Sequence, residues 1–156
     1  MTTRRRFLVL AGGAIAASAA RAQLPPDIQA LRKAALAEAV RKTTRGGEVR
    51  PGRVKLDVPP LIDNGNSVAL VVDVQSPMTA ADHVKAIHVF TEKNPQPYII
   101  TARFGPRAGR ARITTRARIA DSGTIIAIAE MSDGSFWSDS VSVVVTLSAC
   151  LEDGSI

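Results

Sequence analysis

Apolar and polar positions change their period once along this chain. From Leu24 to Lys42 the apolar residues Ile28, Leu31, Ala35 and Ala39 recur at helical spacing. That predicts an amphipathic helix with a narrow apolar stripe. Pro25 and Pro26 suit its entry, Asp27 suits its N-terminal end, and Arg41 and Lys42 suit its C-terminal end. Gly46-Gly47 predicts the stop. The stripe reads as the packed side of a surface helix rather than as a membrane-active face.

Beyond Gly52 the period falls to two. Val54, Leu56 and Val58 alternate until Pro59-Pro60 ends the run, and Asn64-Gly65 marks a turn. Further strands are predicted over 68–74, 84–90, 98–104, 111–119, 124–131 and 141–147, with Asp133-Gly134 closing one of them. About seven short strands, with no second helix long enough for a crossover, predict an all-β antiparallel sandwich with an N-terminal helix. The region 95–110 is a candidate docking loop by composition.

The first 22 residues stand outside this pattern. Thr3-Arg4-Arg5-Arg6-Phe7-Leu8 matches a twin-arginine signal, a weakly apolar Ala- and Gly-rich stretch follows, and Ala20-Arg21-Ala22 offers small residues for a cut before Gln23. The stretch is too short for a membrane span. The expectation is a periplasmic protein, exported folded by the twin-arginine route and not held in a membrane when mature.

Charge changes its meaning once this leader is set apart. The formal net charge is +6, but Arg4, Arg5, Arg6 and Arg21 lie in the leader with no acid, which leaves +2. With one Trp and one Tyr in the chain, a nucleic-acid role loses its basis.

Candidate chemistry is sparse. His83 and His88 are the only histidines, and five residues apart near a strand they point to opposite faces. A zinc site needs three or four convergent ligands, so the expectation is surface or partly packed histidines and no metal. No nucleophile elbow or phosphate loop is present outside the leader, and no cofactor is expected. Glu130 and Asp133 flank a turn, where acids stand in water. Arg110, Arg112, Arg116 and Arg118 alternate with apolar residues and so share one strand face. That face either attracts anions or an acidic partner, or guards a sheet edge. Cys150 is the only cysteine. Unpaired in an oxidising compartment, it is either buried and inert or kept for reaction or intermolecular pairing.

Three stretches carry a family resemblance: Asp63-Asn64-Gly65-Asn66-Ser67-Val68, the run from Ser76 to Phe90, and Ala129-Glu130-Met131-Ser132-Asp133-Gly134-Ser135-Phe136-Trp137. Together they resemble the thiosulfate-oxidation carrier family SoxY. The resemblance implies an immunoglobulin-like sandwich paired with a SoxZ-like subunit. It implies a carrier, not an enzyme. Cys150 would hold thiosulfate-derived sulfur covalently, while periplasmic sulfur-oxidation enzymes attach the substrate, hydrolyse sulfate away and oxidise the rest. The implied organisation is a signal peptide over 1–22, a helix and linker over 23–47, the sandwich over 48–148, and a tail carrying the cysteine over 149–156.

The tail departs from the family pattern. The family arm reads Gly-Gly-Cys-Gly-Gly, whereas here Ala149 and Leu151 flank Cys150, followed by Glu152 and Asp153. Loss of the glycines stiffens the arm. The two acids disfavour a nearby thiolate and repel an anionic substrate. Two other readings therefore stand beside thiosulfate carriage. One is a non-covalent adaptor, and the other is a SoxYZ-like carrier beside a quinoprotein dehydrogenase.

Overall fold

Val68, Leu70, Val72 and Val74 are all buried, while the residues between them face outward. The period-two pattern thus becomes one wall of a core. The computed structural model describes residues 26–147. In chain order the elements are α1 (Pro26–Thr44), β1 (Val49–Pro51), β2 (Val54–Asp57), β3 (Leu61–Ile62), β4 (Val68–Val74), β5 (Val84–Thr91), β6 (Tyr98–Arg103), β7 (Ala111–Ala117), β8 (Gly123–Met131) and β9 (Phe136–Val145). The leader 1–22, the helix entry at Leu24 and Pro25, and the tail 149–156 lie outside the described residues.

The strands form two sheets. The larger runs β1-β9-β8-β5-β6, with β3 also paired to β9, and the smaller runs β2-β4-β7. Every pairing among β2 and β4 to β9 is antiparallel, and the two hairpins β5–β6 and β8–β9 fold within the larger sheet. Leaving aside the short β1 and β3, the chain crosses between sheets at β4–β5, β6–β7 and β7–β8, which gives an immunoglobulin-like sandwich. β1 and β3 are additions to the expected set. Both are short, and both lie parallel to β9 along its outer edge. Pro51 and the Pro59-Pro60 pair keep that edge brief.

The space between the sheets is filled by aliphatic side chains. Leu70, Val72 and Ile119 meet Ile87, Val89, Ile125 and Ala127, all of them fully buried. Burial of each Leu, Val or Ile side chain here stabilises the fold by roughly 1.5–3 kcal/mol. One polar residue joins this seam. Asp139 on β9 accepts a hydrogen bond from the Leu56 backbone N–H at 2.8 Å. It gives the amide of an edge strand in the smaller sheet a partner in the larger one. β9 therefore begins at Phe136 rather than at Val141, because Ser138, Asp139 and Ser140 belong to the strand despite their polarity.

A second, smaller apolar cluster lies on the outer face of the larger sheet. There Leu36 of α1 packs with Phe90, Ile128 and Phe136, joined by Ala39, Val40, Val49 and Ile126. The expected stripe is therefore displaced. Leu31 is 68% exposed, and the packed face runs through Leu36, Ala39, Val40 and Thr44 instead. Only the last turns of α1 rest on the sheet, and Ala-rich turns give little contrast between faces. The helix stop also differs in detail. Arg45 takes the left-handed conformation at φ 55°, Gly46 follows at φ 75°, and the Gly46 N–H bonds the Arg41 carbonyl at 3.0 Å. This six-to-one bond is the Schellman closure, with arginine in the place glycine usually takes.

A strand runs through the middle of the expected docking loop 95–110. β6 occupies Tyr98–Arg103, and its neighbour β5 pairs with it through a bulge between Val89 and Phe90.

Candidate functional site

The chain leaves the described sandwich toward Cys150 from one end, and that end is tied on both sides. The Val145 N–H donates to Ser122 Oγ at 2.9 Å. The Thr146 N–H donates to the Ile62 carbonyl at 2.9 Å, and its hydroxyl donates to the Asp63 carbonyl at 3.1 Å. The Leu147 carbonyl accepts from Gly65 at 2.9 Å, and the Gly65 carbonyl accepts from Ile119 at 2.8 Å. The Asn64-Gly65 turn thus bridges the end of β9 to the residue after Arg118. Asn94 holds the same end from the β5–β6 loop. Its Nδ2 donates to the Arg118 carbonyl, and its Oδ1 accepts from the Ala120 N–H, each at 2.8 Å. Cys150 itself lies outside the described residues.

β7 brings its arginines together as expected. Arg110, Arg112, Arg116 and Arg118 are all exposed on the outer face of the smaller sheet. Asp73 stands opposite Arg112 in the β4–β7 register and pairs with both Arg110 and Arg112, the latter at 3.4 Å. With Lys55, Asp57, Val71 and Gln75 they line a polar cleft of ≈ 350 Å³. Such exposed pairs stabilise by at most about 1 kcal/mol. Their outward charge guards the β7 edge against strand addition.

Glu130 corrects its expected place in water. It lies within β8, 7% exposed, on the outer face of the larger sheet. Arg45 Nη2 and Lys85 Nζ each donate to its Oε1 at 3.0 Å. Burial pushes the Glu130 carboxyl up, but the hydrogen bonds from Arg45 and Lys85 outweigh it and hold the group below the ordinary carboxylate range. Arg45 also stands over the Phe136 ring, 5.6 Å from its centroid. The left-handed turn at the helix end is what aims this arginine at the sheet. Neither Arg45 nor Lys85 is marked by spacing in the sequence, since they reach Glu130 across 85 and 45 positions. Asp133 does stand in the turn, where its Oδ1 accepts from the Ser135 N–H and hydroxyl.

The histidines do not converge. His83 precedes β5, and its Nδ1 lies 3.0 Å from the Thr79 carbonyl. His88 is in β5 and only 6% exposed, which overturns the expectation of a surface or partly packed ring. Its Nδ1 lies 2.7 Å from Thr101 Oγ1 and 3.4 Å from Tyr98 Oη. The buried Nε2 has no hydrogen-bond partner among the described residues. Burial pushes the His88 pKa down and so favours the neutral ring. Among the described residues no three His, Cys, Asp or Glu side chains converge as a metal site requires. No described helix is long and apolar enough to cross a membrane.

The chain's fold is shared with known structures. The sulfur carrier protein SoxY from Chlorobium limicola f thiosulfatophilum is 19% identical with TM-score 0.62, covering 73% of this chain and 98% of that one. Superoxide reductase (neelaredoxin) from Ignicoccus hospitalis is 18% identical with TM-score 0.54, covering 60% of this chain and 80% of that one. Superoxide reductase from Nanoarchaeum equitans is 12% identical with TM-score 0.52, covering 62% and 100%. Identities this low show a common sandwich and nothing of its chemistry. The described residues offer no ligand cluster to carry metal chemistry across. No curated protein sequence matches the chain. The model of the sulfur oxidation protein SoxY matches residues 40–150, from the last turns of α1 through the whole sandwich to the cysteine. The chain belongs to the SoxY family.

Proposed function

We propose that this chain is the carrier subunit of a periplasmic sulfur-oxidation system, exported by the twin-arginine route, with thiosulfate-derived sulfur bound covalently to Cys150. The observation that carries this reading is the extent of the family match, which reaches Cys150 itself. The likeness to a sulfur carrier protein agrees with it. The anchored end of β9 supports it further, because Cys150 follows Leu147 by three positions. Three chain steps span at most about 11 Å from that root.

The chemistry needs little from the carrier. The Cys150 thiolate joins the outer sulfur of thiosulfate in a disulfide-type bond, and an electron-accepting partner enzyme takes the two electrons released. Water then attacks the sulfonate sulfur on a hydrolase. Sulfate and two protons leave, and a persulfide anion stays on Cys150. Rates follow thiolate fraction and access, and the partners supply the catalysis. A SoxZ-like subunit completes the carrier as a heterodimer.

Reconstitution tests the reading. The full chain is combined with its SoxZ-like partner, the attaching enzyme and the hydrolase, and thiosulfate consumption is followed. Cys150→Ser is expected to abolish consumption while still binding the partner. Consumption at the wild-type rate would leave a non-covalent adaptor as the function.

A further inference from the structure

Two sheets have four edges, and three of them here are closed to further pairing. On β2 the Val54 N–H bonds the Gly52 carbonyl at 2.7 Å and the Leu56 N–H bonds Asp139 at 2.8 Å, so both amides are taken. β9 is flanked by β1 and β3, of three and two residues, beside Pro51, Pro59 and Pro60, which have no N–H to offer. β7 carries its row of arginines. β6 differs from all of these. It is six residues long, pairs with β5 alone, and has neither proline nor charge before Arg103. Such an edge presents a row of main-chain donors and acceptors on which another strand can form.

The side of the sandwich that β6 borders is also incompletely covered. β2, at the opposite end of the smaller sheet from β7, packs against β9 and β8, so β7 and β6 are the edges on the same side. Along that side Ile99, Ile100 and Phe104 from β6 and its exit, and Ile113 from β7, pack on the core yet stay half-buried. The stretch 98–118 that forms this side holds six arginines and no acid. All six are exposed, and among the described residues Asp73 is the only acid paired with any of them, taking Arg110 and Arg112. Arg103 ends β6 on the same face as Thr101, and Arg107 follows in the loop to β7.

We propose that β6 is the docking edge for an acidic, extended segment of a partner protein, which adds to the larger sheet as a further strand. Main-chain hydrogen bonds to β6 hold the segment, and its alternate apolar side chains cover the half-buried flank at Ile100, Phe104 and Ile113. Its acids meet Arg103 and Arg107. Charge decides which partner fits. A second copy of this chain would bring the same arginines to the edge, and like charges oppose that pairing. An acidic segment is instead drawn in by the field of the whole stretch. All these charges are exposed, so the attraction is screened by salt. One added strand buries little surface, which makes the contact reversible. Cys150 takes no part in it, so the docking edge and sulfur carriage stand or fall separately.

Hydrogen exchange read by mass spectrometry tests the edge. The full chain is mixed with a blocked peptide of alternating valine and glutamate at millimolar concentration. The same peptide with lysine for glutamate, and the acidic peptide with a central proline, serve as controls. The acidic peptide is expected to slow exchange across 98–104, with β2 and β7 unchanged and neither control peptide having that effect. The double substitution Arg103→Gln and Arg107→Gln is expected to weaken this protection several-fold, while unchanged exchange in β4 shows that the sandwich is intact. Raising the salt to about 0.5 M is expected to weaken it likewise. Protection confined to β2 or β7, equal protection by the lysine peptide, or none by the acidic peptide would overturn the proposal.

Discussion

The Arg45 guanidinium donates to the Glu130 carboxylate across 3.0 Å, joining the end of α1 to the outer face of β8. The contact depends on a left-handed residue at the helix stop, a buried acid, and a second cation, Lys85, on the neighbouring strand. Glu130→Ala removes the shared acceptor, but Arg45 and Lys85 are about half exposed or more and regain water. A loss of about 1–2 kcal/mol is expected. It can be read from urea unfolding followed by the fluorescence of Trp137, the only tryptophan in the chain.

Two buried groups make stability depend on pH in the same direction. Glu130 has a lowered carboxyl pKa in the fold, so the native state binds fewer protons than the unfolded chain through the carboxylate range. Its stabilisation is present above the unfolded value and is lost as pH falls through the folded one. His88 is also lowered, by burial first. The unfolded imidazole takes a proton near its ordinary 6.5 and the folded ring only at lower pH, so stability falls as pH drops below that value. Unfolding midpoints are expected to decline from about pH 7 to 5, and again below about pH 4.5. His88→Gln flattens the first slope and Glu130→Gln the second. A profile unchanged by either substitution would contradict these assignments.

The core is close-packed around β4, and Leu70 has no exposed surface. Leu70→Ala is expected to cost about 2–5 kcal/mol, the range for a deleted core leucine. A loss below about 1 kcal/mol on denaturant unfolding would place the sheet–sheet seam elsewhere.

The helix stop offers a smaller effect. Gly46 has φ 75° and open space around its Cα. Gly46→Ala meets no neighbour, and its cost is conformational, about 1 kcal/mol. Thermal unfolding by far-UV circular dichroism is expected to show a midpoint lower by several degrees.

What the chain's pattern reveals depends on how local the cause is. β4 and β7 are legible because each side chain's face follows from strict alternation, as in Val68, Leu70, Val72 and Val74. β3 is two residues long and offers no period to read. The first half of β9 hides behind Ser138, Asp139 and Ser140, because Asp139 faces inward to serve the Leu56 amide, a partner 83 positions away. The buried state of Glu130 is hidden for the same reason, since both of its cations come from distant segments. The face of α1 is misjudged because Leu31 is exposed, whereas Leu36 packs with Phe90 and Phe136 from segments far along the chain. The family resemblance carried by the stretches around His83, His88 and Glu130 survives comparison. Of these residues, His88 and Glu130 are buried within strands of the larger sheet.

The proposed carriage rests on Cys150, and intact-mass spectrometry addresses it most directly. The full chain with its SoxZ-like partner is incubated with thiosulfate, the attaching enzyme and its electron acceptor, and then resolved without reductant. One thiosulfate is expected to be added to the wild-type chain, mapped by peptide analysis to Cys150, released by reductant, and absent from Cys150→Ser. An unmodified wild-type chain beside a fully active attaching enzyme, or equal mass gain on Cys150→Ser, would contradict covalent carriage.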